Sequence, residues 1–199
     1  MRSWYSILGM NLVEFSVLLI LFYLCIIITA KERYIYALPT YPIYPDSVEE
    51  AKYVLEITQK RSVDDEQFFR KTDPSIVHAF VDYVDEPLEE LRAIITSIPI
   101  LFTVYATKYG INRPRPYQMN RDIVPMKSTT DKTPSYPAGH AFQAYFLADV
   151  LGKRYPAKKQ YFDKLAERCD LVRVQAGIHY PSDGQFAKRI LYRLLKITS

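Results

Sequence analysis

Glycine is scarce in this sequence, with six residues in 199. A chain so poor in glycine is neither loop-rich nor of low complexity, and no segment of it repeats. Cysteine is scarcer still. Cys25 sits in the most apolar stretch and Cys169 lies far from it, so no disulfide framework is implied and the redox compartment is not identified. No Cys/His cluster has zinc-ligand spacing, and no metal site is expected. No stretch alternates apolar and polar residues as a half-buried strand would. Basic residues are interleaved with acidic ones and no base-stacking platform accompanies them, which argues against a nucleic-acid partner.

What is present begins with tyrosine, 17 of them, and a net charge of +4 that suits an anionic ligand or a membrane surface. Residues 11–30, NLVEFSVLLILFYLCIIITA, carry one charge, Glu14, and the run from Phe15 to Ala30 has none. About 20 such residues cross a bilayer core. Lys31, Arg33, Tyr34 and Tyr36 follow in the manner of interfacial residues. Residues 1–33 are therefore expected to be an uncleaved single-pass anchor. A cleaved signal peptide ending at Ile28-Thr29-Ala30 is the alternative, and a buried core helix is the third reading. Residues 34–45, with three prolines in YALPTYPIYP, read as an extended spacer. The domain then occupies 46–199, outside the cytoplasm or in a lumen if the anchor holds it there.

Everything beyond the spacer reads as helix. Ser47 and Glu50 form a capping-box pattern for a helix to about Lys60. Ser62 opens a short one through Phe69. Asp73-Pro74 predicts a helix to Tyr83, and Glu86-Pro87 a long one to Thr107, kinked at Pro99. Further helices are expected from Gly139 to Lys153, from Pro156 to Gln175 and from Ser182 to Lys196. None has the length and composition of a lipid-facing span. The fold class is all-α, a helical bundle.

Two of the three histidines stand beside loop signals. In SYPAGH (135–140), Pro137 and Gly139 break the chain just before a helix, whose free N–H groups suit a phosphate. Gly139 lets the backbone approach closely, and His140 is placed to donate a proton. In RVQAGIHYPSD (173–183), His179 and Asp183 are four apart around a turn. A carboxylate there would hold one ring nitrogen protonated and aim the other as a nucleophile. With Lys108, Arg115 and Arg173 added, the set holds three cations, one acid and one nucleophile, which is what phosphoryl transfer requires. Glu89 and Glu90 read as first-turn charges, His78 as a core or surface histidine, and residues 186–197 as a solvated basic face.

The order and spacing resemble the three-part signature of the type 2 phosphatidic acid phosphatase superfamily, which includes class A acid phosphatases and vanadium haloperoxidases. The matching parts are Lys108 with Arg115-Pro116, Pro137-Ala138-Gly139-His140, and Arg173 with His179 and Asp183. The resemblance implies an all-α core and a metal-independent phosphatase acting through phosphohistidine. His179 would attack phosphorus, Asp183 would orient it, and His140 would protonate the leaving alcohol. Lys108, Arg115, Arg173 and the Gly139 N–H would hold the phosphoryl oxygens. No cofactor is implied, although vanadate fits the same pocket as a phosphate mimic.

Two positions depart from the pattern. Ala138 stands where the family usually has a serine that donates to a phosphate oxygen, with Ser135 or Lys132 as possible substitutes. Val172 stands where another serine precedes the arginine. Arg113, the first of the doubled Arg-Pro pairs, is extra to the signature and reads as a solvated neighbour or a contact for the substrate's tail. The substrate is a soluble phosphomonoester or a lipid phosphate. A catalytically weakened anion-binding membrane protein and a haloperoxidase remain as alternatives.

Overall fold

The computed structural model describes residues 44–194, together with Val13, Glu14, Ser16, Val17 and Ile20, which are helical. The anchor expected at 1–33 and most of the 34–45 spacer lie outside the described residues. The chain divides into two compact units, Met1–Tyr34 and Ile35–Ser199, and all the site residues belong to the second.

The second unit is all-α, with no strand among the described residues. Helix α1 (Ser47–Gln59) is capped by Asp46, whose carboxylate accepts from the Val48 and Glu49 N–H groups. The expected Ser47/Glu50 box does not form, because both side chains turn inward to Arg113. Helix α2 (Val63–Thr72) does carry a capping box, between Ser62 and Asp65. The helix expected from Asp73-Pro74 shrinks to one turn, α3 (Val77–Phe80), continued by the 3-10 turn Val81–Tyr83. Asp73 is not its cap; its carboxylate is engaged elsewhere, as described below.

The long helix expected from Glu86-Pro87 is two helices, α4 (Leu88–Ile95) and α5 (Ile98–Ile111). Pro99 has no N–H and would press on the carbonyl of Ile95 in a continuous helix. The chain breaks at Thr96-Ser97 instead, leaving Pro99 in the first turn of α5, where it is tolerated. Across this break, Leu88–Ile95 and the stretch Ile98–Met119 meet at 47°. Among the described residues no single helix is long and apolar enough to cross a membrane; this bent pair passes only when taken together.

Helix α6 (Pro116–Met119) is one turn, and the remainder is α7 (Gly139–Arg154), the 3-10 turn Pro156–Lys158, α8 (Lys159–Gln175) and α9 (Pro181–Leu194). Helix α7 is the centre. Its Ala144, Leu147, Ala148 and Leu151 pack with Phe80, Leu91, Phe162 and Ala166 from α3, α4 and α8. Its Ala141 and Phe142 pack with Val104 of α5 and Ala187 and Leu191 of α9. The alanines let neighbouring backbones approach. Phe142, fully buried, contributes roughly 1.5–3 kcal/mol by leaving water. The N-terminus of α7 and the start of α9 are thereby held together, which is where the two histidine motifs lie.

Candidate functional site

Two backbone turns deliver the site residues. Helix α5 ends at Asn112 in the left-handed region (φ 54°), a conformation asparagine tolerates. The turn sends Arg113-Pro114-Arg115 out in extended form. Helix α8 ends at Gly177 (φ 75°). The Gly177 N–H bonds the Val174 carbonyl and the Ile178 N–H bonds that of Arg173, the paired bonds of a glycine-closed helix end. A Cβ on Gly177 would also press against Ile123. This turn carries the chain directly to His179.

His179 is buried. Its Nδ1 lies 2.8 Å from Asp183 Oδ2, and its Nε2 lies 3.0 Å from Arg115 Nη1. Asp183 accepts and Arg115 donates, so the two partners together select the tautomer with the proton on Nδ1 and the lone pair on Nε2. Burial first, then the Arg115 charge, push the His179 pKa well down against the opposing pull of Asp183. Asp183 also accepts from the Ser135 hydroxyl and, at 3.0 Å, from the Tyr180 N–H. Burial alone would raise its pKa; the His179 N–H, then Arg113 and Ser135, hold it far below the usual carboxylate range.

A cleft of about 370 Å³ opens over His179, and Lys108, Arg115, Gly139, His140 and Lys132 are among the other residues lining it. Arg115 is fixed by Thr133 and Ile178 carbonyls at 2.9 and 2.7 Å. Lys108 donates to the Pro134 carbonyl, and burial followed by the Arg115 charge lowers its pKa. His140 Nε2 donates to the Asp73 carbonyl at 3.0 Å, which leaves Nδ1 to carry any second proton. Burial, then the Arg173 charge, lower its pKa to about 3.

Arg173 stands behind this surface. It is fully buried, donating to Asp73 Oδ1 at 2.8 Å and Thr72 Oγ1 at 3.1 Å, while its buried Nε has no hydrogen-bond partner among the described residues. Asp73 takes further bonds from Ser128 and Thr129, at 2.7 and 2.9 Å. Burial acts on this carboxyl first, upward, yet these bonds and Arg173 leave its pKa lowered.

No protein-family model matches this chain, and no curated protein matches it at a significant level.

The structure thus brings His179, Asp183, Lys108, Arg115, Gly139 and His140 together, with Arg173 one layer deeper. Ala138 is fully buried against Ile100, Val104 and Phe142, and its N–H bonds the Asp183 carbonyl. It does not line the cleft. Gly139 is not demanded by space, since an added Cβ would make ordinary contacts with Val104 and Lys108 at 3.4 and 3.7 Å. The Ser135 hydroxyl is engaged by Asp183, whereas Lys132 is a cleft residue. Val172 packs with Phe69, Met126 and Ile178.

Arg113 is neither a solvated neighbour nor a contact for a substrate tail: it is fully buried and bonds Asp183 and Glu50. Sequence reasoning missed Glu50 and Asp73 as site residues because both had a plausible local use at a helix start. Ser135 was weighed only as a phosphate donor.

Proposed function

We propose that this protein is a phosphoric monoester hydrolase of the type 2 phosphatidic acid phosphatase kind, working through a phosphohistidine and needing no metal. The observation that carries the reading is His179, tautomerically fixed by Asp183 on one side and met by Arg115 on the other, at the floor of a cationic cleft. In this reading the all-α core is of the acid phosphatase type. The apolar run at 11–30 tethers it to a bilayer.

The Nε2 lone pair of His179 attacks phosphorus as Arg115 shifts from Nε2 to a phosphoryl oxygen. The P–O ester bond breaks, and the departing oxygen takes a proton from His140. For that step His140 must be protonated, and the bound phosphate's negative charge opposes the burial and Arg173 field that otherwise keep it neutral. Water then attacks the phosphohistidine with His140 receiving its proton, releasing inorganic phosphate and restoring His179. Lys108, Arg115 and Arg173 balance the charge of the transferring group, and the unpartnered Arg173 Nε is a donor suited to it.

The substrate is a soluble or lipid phosphomonoester. A specific feature favours the lipid arm: Ile98, Phe102 and Tyr105 are exposed on α5, the same helix that lines the cleft with Leu101, Val104 and Tyr105. The reading of a weakened, anion-binding protein draws on Ala138 and Ser135, neither of which offers the cleft a hydroxyl.

The test is phosphate release by the detergent-solubilised full chain between pH 4 and 8 with EDTA, on a chromogenic ester and on phosphatidic acid micelles. Turnover in EDTA that His179→Ala abolishes is expected. A folded protein that binds vanadate but turns over neither substrate would replace the phosphatase with the anion binder.

A further inference from the structure

The doubled Arg-Pro of residues 113–116 has two separate uses. Arg115 faces the cleft. Arg113 points the other way, into the protein, and is among the largest fully buried side chains. Its Nη1 donates to Asp183 Oδ1 and Ser182 Oγ, both at 2.7 Å, and its Nη2 to Glu50 Oε2 at 2.8 Å and the Pro45 carbonyl at 3.4 Å. Its Nε donates to Ser47 Oγ at 3.2 Å. Its guanidinium carbon lies 3.7 Å from the Tyr180 ring centre and 4.4 Å from that of Tyr44. Each N–H group of the fork has an acceptor.

This arrangement completes Asp183. One carboxylate oxygen, Oδ2, serves His179, Ser135 and the Tyr180 N–H, and the other, Oδ1, is held by Arg113. A carboxylate gripped at both oxygens cannot rotate about its own axis. Glu50 supplies the counter-charge and also accepts from the Ser182 N–H and hydroxyl, at 2.8 and 2.6 Å, which locks the first turn of α9. A buried ion pair of this kind is weak evidence for stability, because apolar replacements of the same shape are often as stable. Its distinctive effect is orientation.

We infer that Arg113, with Glu50 behind it, is a positioning residue that aims Asp183 and so keeps the His179 proton on Nδ1 and the lone pair on Nε2. The inference rests on His179 being the nucleophile. The charged and titratable groups around the Asp183–His179 pair are Arg113, Glu50, Arg115, Lys108 and Asp170, with Tyr44, Tyr136 and Tyr180 beside Arg113. Removing Arg113 leaves one cation fewer, so both Asp183 and His179 take up protons more readily. Protonated His179 has no lone pair to attack with, so the acid limb of activity moves to higher pH.

The test uses the full chain. Arg113→Met is expected to lower kcat about 10- to 100-fold with KM within about threefold, and to move the acid limb upward. The double variant Arg113→Met/Asp183→Asn is expected to be no slower than Asp183→Asn alone. Unchanged kcat with a lowered Tm, or additive losses in the double variant, would overturn the inference. Should Arg113→Met not fold, Arg113→Lys keeps the cation without the fork, and a reduced kcat with the acid limb in place is then expected. A readout without turnover is the nitrogen spectrum of ¹⁵N-histidine-labelled protein, with the His179 signals assigned through His179→Asn. The His179 tautomer mixture or its titration must change in the Arg113 variant. If the wild type hydrolyses no ester, the phosphatase reading fails while this spectrum still decides the role of Arg113; an unchanged spectrum overturns it.

Discussion

Asp73 and Arg173, a hundred positions apart in the chain, meet at 2.8 Å between Oδ1 and Nη1, and the backbone carbonyl of that same Asp73 accepts from His140. One residue therefore places both a buried cation and the candidate acid. Neutralising one member of a buried pair leaves the other charge uncompensated. Asp73→Asn is expected to destabilise the protein by about 3 kcal/mol, a Tm loss of roughly 6–12 °C. If Arg173 serves as a phosphate ligand, phosphate supplies the missing negative charge. Added phosphate should then raise the Tm of Asp73→Asn more than that of the wild type. Equal gains in thermal shift would show that Arg173 does not sense the anion.

Ala138 occupies the cap position of α7, and no side chain caps that helix. A serine there would accept from the N–H of His140 or Ala141, which is typically worth about 1 kcal/mol. Ala138 packs against Ile100, Val104 and Phe142 and does not line the cleft, so the added hydroxyl serves the cap and not a phosphate in the cleft. Ala138→Ser is expected to raise Tm by roughly 2–4 °C with little change in kcat/KM, whereas a rise in kcat/KM of about tenfold would show that the hydroxyl does reach the substrate. A stabilised variant with unchanged kcat/KM would show that this hydroxyl never meets the substrate. The weakened-enzyme reading would then lose its main support.

The candidate nucleophile was legible because its partner is near in sequence: His179 and Asp183 are four residues apart, and the turn between them is marked by Pro181. Helices α2, α7, α8 and α9 were legible for the same reason, since caps and proline act locally. Arg113, Glu50 and Asp73 were not. A cluster of arginines beside prolines looks the same in sequence whether its partners are water or a carboxylate 70 positions away. Asp-Pro and Ser-x-x-Glu fit a helix start so well that nothing in the local pattern reveals a competing long-range ion pair. At Pro99 the local signal was correct, but its outcome was a full break because Thr96 and Ser97 could terminate and restart the helix.

Helix α5 is apolar on two sides. Ile100 and Val104 face the core, whereas Ile98 and Phe102 are 84% and 67% exposed. An exposed apolar row running into the candidate cleft would serve a substrate with a hydrocarbon tail. The double variant Ile98→Ser/Phe102→Ser is expected to lower turnover of phosphatidic acid in vesicles about tenfold, with little change on a chromogenic ester in solution. Equal effects on the two substrates would assign the row to packing and leave the soluble ester as the natural class.

Asp170 sets a pH dependence of stability. Its Oδ2 accepts from the Tyr145 hydroxyl at 2.9 Å, and its buried Oδ1 has no hydrogen-bond partner among the described residues. The backbone of α9 packs so closely that a Cβ on Gly184 would overlap both carboxylate oxygens. Burial, opposed by the Tyr145 bond and assisted by the Asp183 charge, raises this carboxyl to about 7. The unfolded value is about 3.9, so between these limits the folded state binds the extra proton. The resulting stabilisation is fully present below about pH 4 and is lost as pH rises through about 7. Asparagine cannot ionise and still accepts from Tyr145. Asp170→Asn is therefore expected to raise Tm by roughly 3–6 °C at pH 8 and by much less at pH 5. Gly184→Ala should lower Tm at both. A gain from Asp170→Asn that is the same at pH 5 and pH 8 would mean that Asp170 is already ionised in the folded protein at the lower pH, with water reaching the carboxylate past α9.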